Sequence, residues 1–205
     1  MTAMTLSRHA TTGFLMALTS FSVLGCASTR LVNTWQDTKY SGPPLTQVMV
    51  IDVSTQAGIR RTFEDQFVRL LEAKGVRAIA SYTLIPEDGE VPRERLAEAV
   101  KESGVKGVLV TRLVNVQTQV YVAPNDGPPY YGFYGYYSWA WGGLYDAPAI
   151  YGYNVVVAET NLFDATKDTL IWSGTTETFP SANVQKGILA FATVITNALA
   201  ANHLI

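Results

Sequence analysis

The run Val48-Met-Val-Ile-Asp-Val53 is apolar at nearly every position and rich in β-branched side chains. A strand with one face in water alternates, whereas an unbroken apolar run marks a strand covered on both faces, as in the parallel part of an α/β sheet. Residues 59–73 follow with Ile59, Phe63, Phe67, Leu70 and Leu71 at helical spacing, and Gly75 lies just past the end as a cap. The pair opens a βα unit and sets the fold class as mixed α/β (α+β).

Residues 76–82 read as a second short strand, and 92–103 as a second helix, opened by Pro92, striped by Leu96, Ala99 and Val100, and stopped by Gly104. Residues 106–122 form a long strand. Its second half alternates, with Val114, Val116, Thr118, Val120 and Val122 on one side and Asn115, Gln117, Gln119 and Tyr121 on the other, so one face is expected to meet water. Residues 152–164 are its antiparallel return, 169–178 pair next after the polar turn 165–168, and 182–201 make a last helix with Ile188, Leu189, Ala192, Ile195 and Leu199 inward. The predicted order is βαβαβββα. Right-handed crossovers put the first three strands parallel with the first in the middle, extended by an antiparallel pair, with helices packed on the sheet.

Upstream of the domain, a short n-region with Arg8 and His9 leads into an apolar stretch that ends in Val23-Leu24-Gly25-Cys26. The stretch is about ten residues long, too short for a bilayer core that needs roughly 20. The ending resembles the lipobox of bacterial lipoproteins, although Leu24 is larger than usual at its place. The resemblance implies that residues 1–25 are a signal peptide and that Cys26 becomes the first residue, diacylated on sulfur and acylated on its amino group by palmitate-type chains. A solitary cysteine in an exported chain otherwise lacks a partner. Ala27, rather than Asp, after the cysteine is the pattern of sorting to the outer membrane, with the domain facing the periplasm. The domain division is therefore 1–25 signal peptide, 26–46 acylated cysteine and extended tether, and 47–205 one domain with an insertion at 123–151.

With 15 basic against 17 acidic side chains and no basic cluster, nothing points to nucleic acid as a partner. The enzyme motifs are missing as well. His9 leaves with the signal and His203 stands alone, so no histidine base or histidine-containing zinc site assembles in the usual way, and no phosphate loop, dinucleotide fingerprint or G-x-S-x-G elbow is present. No cofactor or metal is expected. Carboxylates remain: Asp52 near the carboxyl end of the first parallel strand, where open α/β sheets bind ligands, and Glu159 in register to face Arg112. Their structural reading is Asp52 as a cap of the following turn or helix, and Arg112 with Glu159 as a cross-strand ion pair.

The insertion is the part with a recognition composition. It holds Tyr130, Tyr131, Phe133, Tyr134, Tyr136, Tyr137, Trp139, Trp141 and Tyr145 among glycines and prolines, with Asp126 and Asp146 as its only charges. Tyr and Trp offer large contact area at little rotamer cost, suited to a protein interface, a sugar or a headgroup boundary. The bland alternative is a low-complexity tip whose aromatics fold back on the domain.

The cysteine motif, Thr34-Trp35-Gln36-Asp37 with Gly42-Pro-Pro-Leu45, the run 48–53, the helix bearing Arg60, Phe63, Glu64 and Phe67, and Gly104-Val-Lys-Gly-Val-Leu-Val110 together resemble uncharacterised proteobacterial lipoproteins grouped only as domains of unknown function. More remotely, the element order is similar to the amino-terminal domain of the Tol-Pal translocation protein, the lipoprotein activators of penicillin-binding proteins and the curli secretion lipoprotein. That resemblance implies binding or assembly rather than catalysis. Three functions follow as expectations: a non-enzymatic envelope module binding a protein or glycan through the aromatic loop, a self-assembling or pore-related lipoprotein, and a carboxylate-dependent cell-wall glycan hydrolase.

Overall fold

The computed structural model describes residues 29–122, 137, 150–180 and 183–205. The expected signal peptide, residues 1–25, and Cys26 lie outside the described residues. Ten elements follow in chain order: β1 (Thr29–Gln36), β2 (Gln47–Val53), α1 (Ala57–Glu72), β3 (Arg77–Ala80), a 3-10 turn (Ser81–Thr83), α2 (Arg93–Ser103), β4 (Gly107–Val122), β5 (Ile150–Asp164), β6 (Thr169–Thr178) and α3 (Val184–Ala201).

The six strands form one mixed sheet in the order β1-β6-β5-β4-β2-β3. β2 runs parallel to both β3 and β4, while β4, β5, β6 and β1 pair antiparallel. The expected parallel trio with its first member in the middle is thus present, as are the antiparallel extension and the helices on the sheet. Because β2-α1-β3 steps one way across the sheet and β3-α2-β4 steps back, right-handed crossovers put α1 and α2 on opposite faces.

The face under α1 and α3 carries the main core. Val48, Val50, Leu109, Leu162 and Trp172 point up from the sheet, and Phe63, Phe67, Leu71, Phe191, Ile195 and Leu199 close on them. Phe63, Phe67 and Phe191 form a three-ring cluster with centroids 4.9, 5.4 and 6.0 Å apart. Each such ring contributes about 1.5–3 kcal/mol through its removal from water. α3 is long and apolar enough to cross a membrane, and here its stripe Ile188, Ala192, Ile195 and Leu199 is the lid of this core. On the opposite face α2 sits over Ile51, Val108, Val110 and Phe163 and leaves a cavity of about 610 Å³ between helix and sheet.

Two expectations change. The lead over 26–46 is not simply an extended tether, because its residues 29–36 are β1, an edge strand paired with β6 from Thr29↔Thr178 to Gln36↔Trp172. Its mostly polar, outward side chains hid it, since an edge strand on an open face needs little apolar content. The second half of β4 also differs, with exposed side chains on both faces from Arg112 through Thr118, not on one.

Candidate functional site

Where β2 ends and α1 begins, the chain buries an ion pair. Arg60 and Glu64 lie one turn apart on the inward stripe of α1, with Arg60 Nε donating to Glu64 Oε1 at 3.1 Å. Glu64 is fully out of water and also accepts from the Asp52 backbone N–H, the Ser81 hydroxyl and the Tyr82 backbone N–H. The rest of the Arg60 guanidinium donates to the carbonyls of Ile85 and Glu87 and to Ser81. The bonds beyond the pair tie α1 to its neighbours: the end of β2, the 3-10 turn and the loop before α2 all hang on it. It is a structural clamp with its hydrogen bonds committed. The resemblance places both residues on the helix without pairing them; the legible signal of the pair is two opposite charges at i and i+4 inside an otherwise apolar stripe.

Asp52 stands beside the clamp, at the mouth of a cavity of about 560 Å³ that also meets Ser54, Thr55, Ser81 and Ile85. Burial, and then the charge of Glu64, push its carboxyl up from 3.8 to about 7, with Arg60 pulling the other way. Asp52 does not cap the helix: the N-cap is Gln56, which makes no side-chain cap bond. The expected cap is replaced by a protonatable carboxyl held near the surface.

Arg112 and Glu159 are directly opposite in the β4–β5 register and pair at 2.6 Å, the expected cross-strand ion pair. Asp52 pairs in register with Thr111, on the helix-covered side, while Arg112 and Glu159 project from the other. The sheet therefore separates the two carboxylates, and no acid-base pair forms between them.

Beyond Arg112 and Glu159 the β4–β5 pair leaves the body of the domain. β2 accompanies β4 only as far as Arg112, and β6 accompanies β5 only from Val156. From Gln117 on β4 and before Val156 on β5 the pair runs on as a two-stranded arm, and residues 113–122 and 150–158, the arm with its root, contain no charged side chain. On the helix-side face of the arm Leu113, Val116 and Val120 are more than half exposed, at 56, 52 and 62 %. That stripe runs into an apolar groove of about 520 Å³ at the root of the arm, between the first turns of α1 and α3, lined by Val53, Ile59, Phe63, Leu113, Val184 and Ile188. On the other face Tyr153 donates to Gln119 at 2.8 Å and its ring lies 5.7 Å from Phe179.

The aromatic segment joins the two strands of the arm. Of its candidate residues Tyr137 is described and exposed; Tyr130, Tyr131, Phe133, Tyr134, Tyr136, Trp139, Trp141 and Tyr145 lie outside the described residues. Among the described residues there is no group of His, Cys, Asp and Glu able to hold a metal ion.

No protein-family model matches the chain, and no curated protein matches it in sequence. Among solved structures, similarity extends to a PelC dodecamer from Paraburkholderia phytofirmans, with 12 % identity, 80 % of this chain and 95 % of that one covered, and a TM-score of 0.46. The lipoprotein GNA1162 from Neisseria meningitidis matches at 14 % identity over 77 % of this chain and 99 % of its own, with a TM-score of 0.39. A neuraminyllactose-binding hemagglutinin homolog from Helicobacter pylori follows at 10 % identity, with 83 and 92 % covered and a TM-score of 0.34. These are loose likenesses of fold.

Proposed function

We propose that the protein is a lipid-anchored, non-enzymatic binding or scaffolding module of the bacterial cell envelope, facing the periplasm from the outer membrane, with the aromatic segment as its contact region. The observation that carries this reading is the arm. A charge-free extension that exposes Val120 along its length and Leu113 and Val116 at its root costs solubility and invites association, so it is retained where something covers it or what it presents. The test is photo-crosslinking from Tyr134 and Trp141 in living cells. A discrete envelope protein or glycan trapped from both positions is the expected result, and the absence of any adduct at expression levels where the protein is membrane-bound overturns the proposal.

A second reading, self-assembly, is favoured by one observation: past Arg112 on β4 and before Val156 on β5, no further strand pairs with the outer edges of the arm among the described residues. Open edges recruit strands. Light scattering of the purified lipoprotein in detergent tests it, and a monomer across the accessible concentration range removes it.

A further inference from the structure

The register of the sheet fixes where the arm stands relative to the expected lipid. Thr29 pairs with Thr178, Thr178 with Val156, and Val156 with Val116, so these four residues form one row across β1, β6, β5 and β4. From that row β1 runs away from the end of the sheet toward which the arm extends, so the start of β1 at Thr29 faces that end. Cys26 is three residues before Thr29, and three extended residues reach at most about 11 Å. The arm continues for six residues from Val116 to Val122, about 20 Å at a strand's rise per residue. Strand-to-strand twist of about 20–25° over three steps reduces its projection along the anchor direction to about 5–10 Å. The projection of the arm falls within the reach of the anchor.

We infer that the apolar face of the arm docks on the lipid bilayer itself, with Val116 and Val120 at the headgroup boundary and the domain seated on the membrane rather than swinging from it. The inference rests on acylation of Cys26. Three features beyond the distances fit a lipid surface. The arm has no charge to desolvate, its first charges being Arg112 and Glu159 at its root. Its helix-side face is a stripe of Leu113, Val116 and Val120 that continues onto exposed Val184. Its outer edges, lacking further strands among the described residues, keep their backbone groups solvated at the interface, whereas a hydrocarbon core demands that every such group be paired. The arm therefore lies at the boundary and does not span.

The experiment uses the full-length lipoprotein, purified with its anchor and reconstituted into phosphatidylethanolamine–phosphatidylglycerol vesicles. Val120→Cys, Val116→Cys and, at the opposite end of the sheet, Asp168→Cys are each labelled with an environment-sensitive fluorophore and challenged with headgroup spin-labelled lipid. Strong quenching at 120 and 116, with none at 168, is expected. Equal, weak quenching at all three positions in vesicle-bound protein overturns docking while leaving the anchor intact. A blue-shifted but unquenched label at 120 also overturns it and points to a second copy as the cover. Protein that fails to float with the vesicles and carries no acyl mass on Cys26 overturns both the anchor and the docking.

Discussion

Arg60 and Glu64 sit one turn apart on α1, joined at 3.1 Å and both withdrawn from water, and between them they hold three separate stretches of backbone. Removing one partner strands the other charge. Arg60→Ala and Glu64→Ala are each expected to cost about 3–5 kcal/mol, read as the shift in the urea midpoint. The double variant Arg60→Ala/Glu64→Ala should cost less than the sum of the two, since no unpaired charge then remains buried; strict additivity would show that the pair acts as two independent contacts.

Asp52 gives the domain a pH dependence of defined sign. Its folded-state value, about 7, lies above the ordinary 3.8, so the folded protein binds the proton more tightly than the unfolded chain. The stabilisation from protonation is complete below 3.8 and is lost as pH rises through about 7. Asp52→Asn should therefore melt higher than the parent at pH 8.5 and nearly with it at pH 4. A gap of equal size at both values would mean that the carboxyl does not titrate in this window.

Gly174 lies against the buried Trp172. A Cβ at 174 would collide with the indole ring of Trp172. Gly174→Ala should cost about 1–3 kcal/mol by overpacking, and Trp172→Phe in the same chain should recover part of that cost by clearing the ring atoms. Thermal melts of the two single variants and the double decide it.

The Arg112–Glu159 pair is short but open to solvent. Glu159→Gln should change stability by no more than about 1 kcal/mol. Since the sheet lies between Glu159 and Asp52, the two do not form a catalytic pair. Muropeptide release by the purified protein, if measured, should be the same for the parent and for Asp52→Asn/Glu159→Gln. A loss confined to the carboxylate variants would instead favour the glycan hydrolase.

Much of the architecture is legible in the chain because burial on both faces leaves an unambiguous pattern: the run around Met49 and the stripe Phe63, Phe67, Leu71 admit few other folds. The cross-strand partnership of Arg112 with Glu159 is a match between β4 and β5, legible as two opposite charges that each interrupt an apolar strand. What escaped had weak apolar signals. β1 is an edge strand whose stabilisation comes from backbone pairing with β6, to which its exposed Arg30, Asn33 and Trp35 give no hydrophobic rhythm. The exposure of the arm on both faces was hidden because alternation in 114–120 looks the same whether the apolar side meets a core or nothing. Its register also slips between Leu113 and Asn115, a bulge that no residue type announces.

The pairing of β1 has a mechanical consequence. Hydrogen bonds between antiparallel strands lie across the strand direction, so a pull on the chain upstream of Thr29 along the strand loads the register from Thr29↔Thr178 to Gln36↔Trp172 in shear. The rungs share the force instead of parting one after another. A domain tethered through such a strand resists being peeled open by whatever tugs on it, and its weakest response to tension is sought at the other, shorter edge of the sheet, where β3 holds only Arg77–Ala80.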